Sequence, residues 1–383
     1  MNGKVIITAD DYGVCDRIDK GIDDAILNKK ITAVSFIVTH DGWQNRLTHL
    51  KSVIDQVEVE GHKVGIGLHF CITSGKPQAQ NPDSTLFDPE NKTYFRRIYN
   101  YNFKAIDRYD LRQELDAQIT ELKNAIGLEN IDHLTNHHGV VYFQQELFEE
   151  FAMAAARFNV PIRSPMSWYR KFKKFQELPD FDKDPIINPT MERGIKIGMW
   201  RKLSKMSYGN FLKRMNTAEV NGVKYPDVLC EYLYGQCHPL DNDGKKVLDH
   251  VLTQFITEKR RDAFNSGSLL DKVKIDRRGI KIANEFTVKK SRRSRNPVMT
   301  RVAEKYEEKI AREEFVIELM FHLAKAGLPD DGYDKDNPPH GIYEGYFNFR
   351  DGELQALLDY KWEQTLEFLE LSDEIRLSTF KEM

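Results

Sequence analysis

Residues 4–13 read KVIITADDYG: an apolar, β-branched run that ends in two adjacent carboxylates, Asp10 and Asp11, followed by Tyr12 and Gly13. The run has the composition of a buried strand. Carboxylates placed directly after such a strand are costly to bury unless they are paired, hydrogen-bonded or bound to a cation. Successive residues of an extended chain point to opposite sides, so Asp10 and Asp11 serve one site only if the chain turns at the strand end. Tyr12 and Gly13 make that turn plausible. The competing structural role is helix capping, with one Asp closing the start of a helix near residues 14–16.

Outward from this stretch, strand and helix patterns alternate. DRIDKGIDDAILNKK sets Ile18, Ile22, Ala25 and Ile26 at helical spacing, and ITAVSFIVT follows as a second β-branched run. LTHLKSVIDQV reads as helix, HKVGIGLHF as strand, LRQELDAQITELKNAIG as helix, IDHLTNH as strand, ELFEEFAMAAARF as helix and VPIR as strand. Strands separated by helices pair in parallel through right-handed crossovers, which gives an α/β protein with either a (β/α) barrel or a doubly wound sheet. A length of roughly 250 to 290 residues suits the barrel. In either case the strand ends gather at one mouth. Four strand-like segments end in metal-type or acid/base residues: Asp10 and Asp11, His69 in VGIGLHF, His137 in IDHLTNHH, and His238 in YLYGQCHP.

Two stretches interrupt the alternation, residues 72–105 and 164–225. Both follow strands, so they are expected to overhang the mouth as lids or substrate walls, with Trp168, Tyr169 and Trp200 offering flat apolar faces to sugar rings or packing the insertions themselves. A basic run, KKSRRSR at 289–295, reads as a solvated linker, since no aromatic interleaving or second basic cluster accompanies it. It divides an expected catalytic domain, 1–288, from an α-helical C-terminal extension, 289–383. In that extension VMTRVAEKYEEKIAREEFVIELMFHLAKAG and DGELQALLDYKWEQTLEFLEL read as two helices. Leu319, Met320 and Leu323 are expected to pack on the barrel, with a homo-oligomer contact or a cover over the mouth as alternatives.

Composition narrows the function. The 383 residues carry 56 basic and 59 acidic side chains and a formal charge of −3, which provides no bulk attraction to nucleic acid or an anionic membrane. A small, roughly neutral substrate fits better. The longest apolar runs fall far short of the ~20 residues a membrane helix needs. The N-terminus passes straight into a strand with no signal-peptide pattern, and Cys15, Cys71, Cys230 and Cys237 form no CxxC pair, so a cytoplasmic location is expected.

His133, His137 and His138 form a cluster in which one imidazole is read as binding metal and another as orienting substrate or ligands. In a strand, 133 and 137 would lie on one side and 138 on the other. Two imidazoles and one carboxylate suit a hydrolytic divalent ion, with Zn, Co, Ni or Mn favoured over Mg by ligand type. Such an ion lowers the pKa of its bound water toward ~7, and a second carboxylate nearby takes the proton. His238 is a candidate to protonate the leaving group. Cys237 has no obvious base to make it a nucleophile.

The segments ITADDYG, GLHFCITSGKP, HLTNHHGVVYF and CHP, in this order, resemble the YdjC-like carbohydrate deacetylases, the family of chito-oligosaccharide deacetylase. The resemblance covers residues 1–288. It implies a seven-stranded, distorted TIM-like barrel and metal-dependent removal of acetyl from N-acetylated sugars such as small chitin-derived oligosaccharides. By motif it implies Asp11, His69 and His137 as metal ligands, Asp10 as general base and His238 as acid. Arg163, after VPI, is implied to orient Asp10 or bind substrate, and His138 to contact substrate or support the ligands. Where the family often reads HLDSHHHVH or HLDSHQHVH, this chain has Thr135, Gly139 and Val141, so the surroundings of His137 depart from the pattern. Metal-dependent hydrolysis of another amide or a phosphoester, and a catalytically altered sugar-binding or regulatory protein of the same fold, are the alternative functions.

Overall fold

The computed structural model describes residues 2–97, 100–165, 208–230, 314–328, 344–362 and 375–383. These carry β1 (Asn2–Tyr12), α1 (Asp16–Leu27), β2 (Ala33–Phe36), α2 (Trp43–Glu58), β3 (Gly65–Phe70), α3 (Arg108–Ile126), β4 (Ile131–Asn136), α4 (Gln145–Phe158), α5 (Tyr208–Val220), β5 (Val228–Cys230), β6 (Glu314–Phe321), α6 (Glu344–Asp359) and β7 (Ile375–Leu377). The strand order is β4-β3-β2-β1-β6-β5, with β7 also on β1, and every pairing is parallel. The opening stretch is thus a central strand. Residues 5–12 are all buried, which is why the run is apolar throughout rather than alternating.

The helices cover the sheet with the stripes their spacing predicts. Ile18, Ile22, Ala25 and Ile26 of α1 are fully buried, as are Leu111, Leu115, Ile119 and Leu122 of α3. Past β4, hydrogen bonding continues through the VPIR segment. Leu134 N donates to Pro161 O, Arg163 N to Leu134 O, and Ile162 N to Lys224 O. The chain from 224 then reaches β6, where Asp227 N donates to Val316 O. The described residues form a mixed α/β fold on a parallel half-barrel sheet. Among them no helix is long and apolar enough to cross a membrane.

The C-terminal part corrects the expectation of an appended helical extension. EFVIELMF is strand β6, inserted between β1 and β5 and paired with β1 from Asn2↔Glu314 to Ala9↔Phe321. A short apolar run fits a buried strand and a buried helix equally well by periodicity, and here the free edge of β1 decided it. The second expected helix begins earlier than the pattern suggested, at Glu344 in α6, and its residues after 362 lie outside the described residues. The basic run at 289–295 lies outside the described residues, as do Trp168, Tyr169 and Trp200. Of the two insertions, the described part of 72–105 packs into the core through Leu86, Phe87, Phe95, Tyr101 and Phe103. Buried Glu114 of α3 accepts from Gln78 N and Ala79 N at 2.9 Å each and holds this insertion to α3.

At the end of the sheet where β4 begins, the C-terminus forms a plug. Ser35 Oγ donates to His133 Nε2 (3.1 Å), and His133 Nδ1 donates to Asp132 Oδ2 (3.0 Å). Asp132 also accepts from Phe380 N (3.2 Å) and Lys381 N (3.0 Å), while the Phe380 ring stacks on His133 at 4.3 Å. His133 is wholly buried, and a Cβ on Gly67 would lie 2.4 Å from its ring, so only glycine leaves it room.

Candidate metal centre

Asp10 and Asp11 reach one site because β1 is irregular there. The β1–β2 register shifts between Ala9 and Tyr12, and Asp11 has φ 75°, a left-handed conformation that a non-glycine residue adopts at a cost of about 1–3 kcal/mol. The following turn is held by Gly13 N donating to Asp19 Oδ1 at 2.8 Å. A bulge re-aims side chains that strand alternation would send to opposite faces. Both carboxylates are buried, and the ends of β3 and β4 bring His69 and His137 to them.

Asp11 Oδ1 lies 2.8 Å from His137 Nδ1 and 3.2 Å from His69 Nε2. The two imidazoles meet edge to face, 5.3 Å between centroids. Despite these distances, Oδ1 is a buried oxygen that makes no hydrogen bond of acceptable geometry among the described residues. One ligand atom from each of Asp11, His69 and His137 falls within 4.8 Å of the others. The neighbouring bonds explain why. His69 Nδ1 donates to Thr135 Oγ1 (2.7 Å), whose own proton turns to Leu68 O (3.4 Å), so His69 Nε2 presents a lone pair toward Asp11. A lone pair facing a carboxylate is repulsive without a cation between them. The donor set, its burial and its orphaned oxygen fit a divalent ion.

The second oxygen of Asp11 accepts from Arg350 Nη2 of α6 at 2.5 Å. Burial opposes ionisation of Asp11, yet its close neighbours His137 and Arg350 hold its carboxyl well below the usual range. Asp10 is clamped by Arg163, with Nη1 donating to Oδ2 (2.6 Å) and Nη2 to Oδ1 (2.8 Å). Burial again opposes ionisation, and the Arg163 guanidinium overrides it and keeps Asp10 charged. Arg163 Nε also donates to Glu318 Oε1 of β6 (2.7 Å). Burial pushes the Glu318 carboxyl up, and Oε2 of the same residue is buried with no hydrogen-bond partner among the described residues. His322, just past β6, is pushed down to about 3 by burial and by the Arg350 charge.

Six of the seven expected site residues can therefore be located. Asp10, Asp11, His69, His137 and Arg163 come together, and His138 stands beside them with its ring 3.8 Å from that of His137 and its Nδ1 2.8 Å from Thr73 Oγ1. β4 stops at Asn136 and His137 opens a 3-10 turn in which His138 has φ 57°, so 133 and 137 do not share one strand face. His238 lies outside the described residues. The sequence reading missed Glu318 and Arg350. A single Glu inside the apolar run EFVIELMF is a signal for the first once that run is read as strand; nothing local marks the second.

At one end of the half-barrel of parallel strands, the buried Asp-His-His set is a group that could hold a single metal ion. The chain belongs to the YdjC-like protein family, whose model matches residues 4–368, well past the expected boundary at 288. A carbohydrate deacetylase of Brevibacillus brevis is 27% identical over 45% of this chain, which spans 64% of that relative's length. A chitooligosaccharide deacetylase of Yersinia pestis is 22% identical over 71% of this chain and all of its own length. Among solved structures, a protein of Enterococcus faecalis proposed to cleave cellobiose-phosphate shares the fold, with a TM-score of 0.56 at 14% identity over 100% of this chain and 99% of its own.

Proposed function

We propose that this protein is a metal-dependent hydrolase that removes acetyl groups from N-acetylated sugars, including small chitin-derived oligosaccharides, and releases acetate. The observation that carries the reading is the buried Asp11 Oδ1, faced by two imidazoles yet unbonded. Asp11, His69 and His137 would hold the ion, which when bound supplies Lewis acidity to the amide carbonyl and to water. Asp10 takes the proton of the attacking water, and Arg163 holds it ionised and aimed. Glu318 shares that guanidinium, which tempers its pull on Asp10 and preserves some basicity. His69 is kept by Thr135 in the tautomer whose Nε2 is free to bind metal. His238 has the role of acid to the departing sugar amine. His138, fixed by Thr73 above His137, contacts the substrate.

The test is acetate release from a panel of N-acetylated mono- and oligosaccharides with added Zn, Co, Ni, Mn or Mg, run beside sugar phosphates scored for phosphate release. Acetate release that Asp10→Asn and His137→Ala abolish is expected. Phosphate release without acetate, or full activity in either variant, overturns the reading.

A further inference from the structure

We propose that Arg350 is a positioning residue of the metal centre: it engages one oxygen of Asp11 and so restricts that carboxylate to single-oxygen ligation through the other. The inference rests on Asp11 being a metal ligand. Arg350 Nη2 donates to Oδ2 at 2.5 Å, while Oδ1 alone faces His69 and His137. The two carboxylate oxygens are thereby divided between a guanidinium and the imidazoles. Without a donor on Oδ2, a carboxylate at the end of a two-torsion side chain is free to turn and offer both oxygens to a cation.

The helix that carries Arg350 is built to hold this distance. Glu353 of α6 accepts from His322 N, one residue past β6, at 2.7 Å. The Arg17 guanidinium of α1 lies 4.6 Å over the Phe347 ring, and Arg17 O accepts from Lys325 N at 2.9 Å. At Gly21 a Cβ would stand 2.6 Å from Ala324 Cα, so α1 and the segment after β6 are in backbone contact. Through β1, α1 and β6 the position of α6 is referred to the same strand that bears Asp11. A segment read from sequence as an extension outside the catalytic domain thus completes the ligand environment.

Charge alone predicts the opposite behaviour. Removing a cation next to a metal site should tighten binding of a divalent ion, whereas losing a group that orients a ligand weakens it by about 10- to 100-fold. The two expectations differ in sign. The full-length protein is titrated with Co2+ and its visible d–d bands are recorded for wild type, Arg350→Met and Arg350→Lys, with circular dichroism confirming the fold. Arg350→Met is expected to bind Co2+ at least about tenfold more weakly, with a fainter band as Asp11 gains a second bond and the coordination number rises. Arg350→Lys, which keeps one donor, is expected to hold the wild-type band. If Arg350→Met misfolds, Arg350→Gln carries the comparison with the same expectation. Unchanged or tighter Co2+ binding with an unchanged band overturns the proposal, and so does a wild-type protein that binds no Co2+. A wild type that binds Co2+ yet releases no acetate removes the deacetylase reading and leaves this inference standing.

Discussion

His133 and His137 lie four residues apart around the same strand, and their surroundings differ in kind. Both ring nitrogens of His133 are committed to protein groups, Ser35 on one side and Asp132 on the other, and Phe380 covers its face. His137 instead points Nδ1 at an Asp11 oxygen that forms no proper hydrogen bond. The Ser35–His133–Asp132 row has the residue types of a nucleophilic triad, but it is sealed in the core and tied to the C-terminus. A buried imidazole with a complete set of partners stabilises the fold. A pair of imidazoles converging on an unbonded carboxylate oxygen asks for a cation.

The contrast breaks most sharply under paired substitution. His137→Ala should abolish stoichiometric binding of Co2+ or Zn2+, read by calorimetry, and leave the thermal midpoint of the metal-free protein nearly unchanged. His133→Ala should do the reverse, costing about 3 kcal/mol in urea denaturation through lost packing and unpaired Asp132, with metal stoichiometry intact. If His133→Ala lost metal while His137→Ala kept it, the assignment of the two ends would be inverted. A smaller effect is expected from Thr135→Val. It removes the acceptor that selects the His69 tautomer, so metal affinity should fall about tenfold with stability within about 1 kcal/mol of wild type. Equal metal affinity in that variant would show that strand geometry alone orients His69.

Asp132→Asn tests the plug at the other end. It weakens the bonds to His133, Phe380 N and Lys381 N, and a cost of about 1–2 kcal/mol is expected, with faster amide exchange at residues 375–383 and no change at the metal centre. The mildest effect concerns Glu114, whose carboxyl burial pushes up to about 7 from an ordinary 4.5. The folded protein then holds an extra proton between those values, so this group's contribution to stability falls as pH rises from about 4.5 to about 7 and levels off above. Glu114→Gln should flatten that part of the stability curve. A slope identical to wild type would remove Glu114 as its source.

Much of the centre was legible because its chemistry is local. Two carboxylates after an apolar run, a histidine closing a glycine-containing strand and a histidine cluster after another are costly residue choices in a core, and parallel strands bring their ends together whatever the loops do. The alternation of β-branched apolar runs with period-3.6 patterns likewise marked β1 to α4. For Arg163 at the end of VPIR the resemblance implied either orienting Asp10 or binding substrate, and the structure shows it bonded to Asp10. The tail was not, because EFVIELMF is equally apolar as helix or strand and only the open edge of β1 selects between them.

The sequence by itself therefore determined that carboxylates and histidines would close neighbouring strands and that those strand ends would meet, since burial penalties and strand polarity act through neighbours along the chain. Tertiary structure alone decided that His133 would be sealed in the core while His137 faces Asp11, how a bulge at Asp11 turned both carboxylates inward, and that Glu318 and Arg350 would stand behind them. Those outcomes depend on contacts between residues more than 100 positions apart, such as Arg163 with Glu318 and Asp11 with Arg350, for which no local pattern exists.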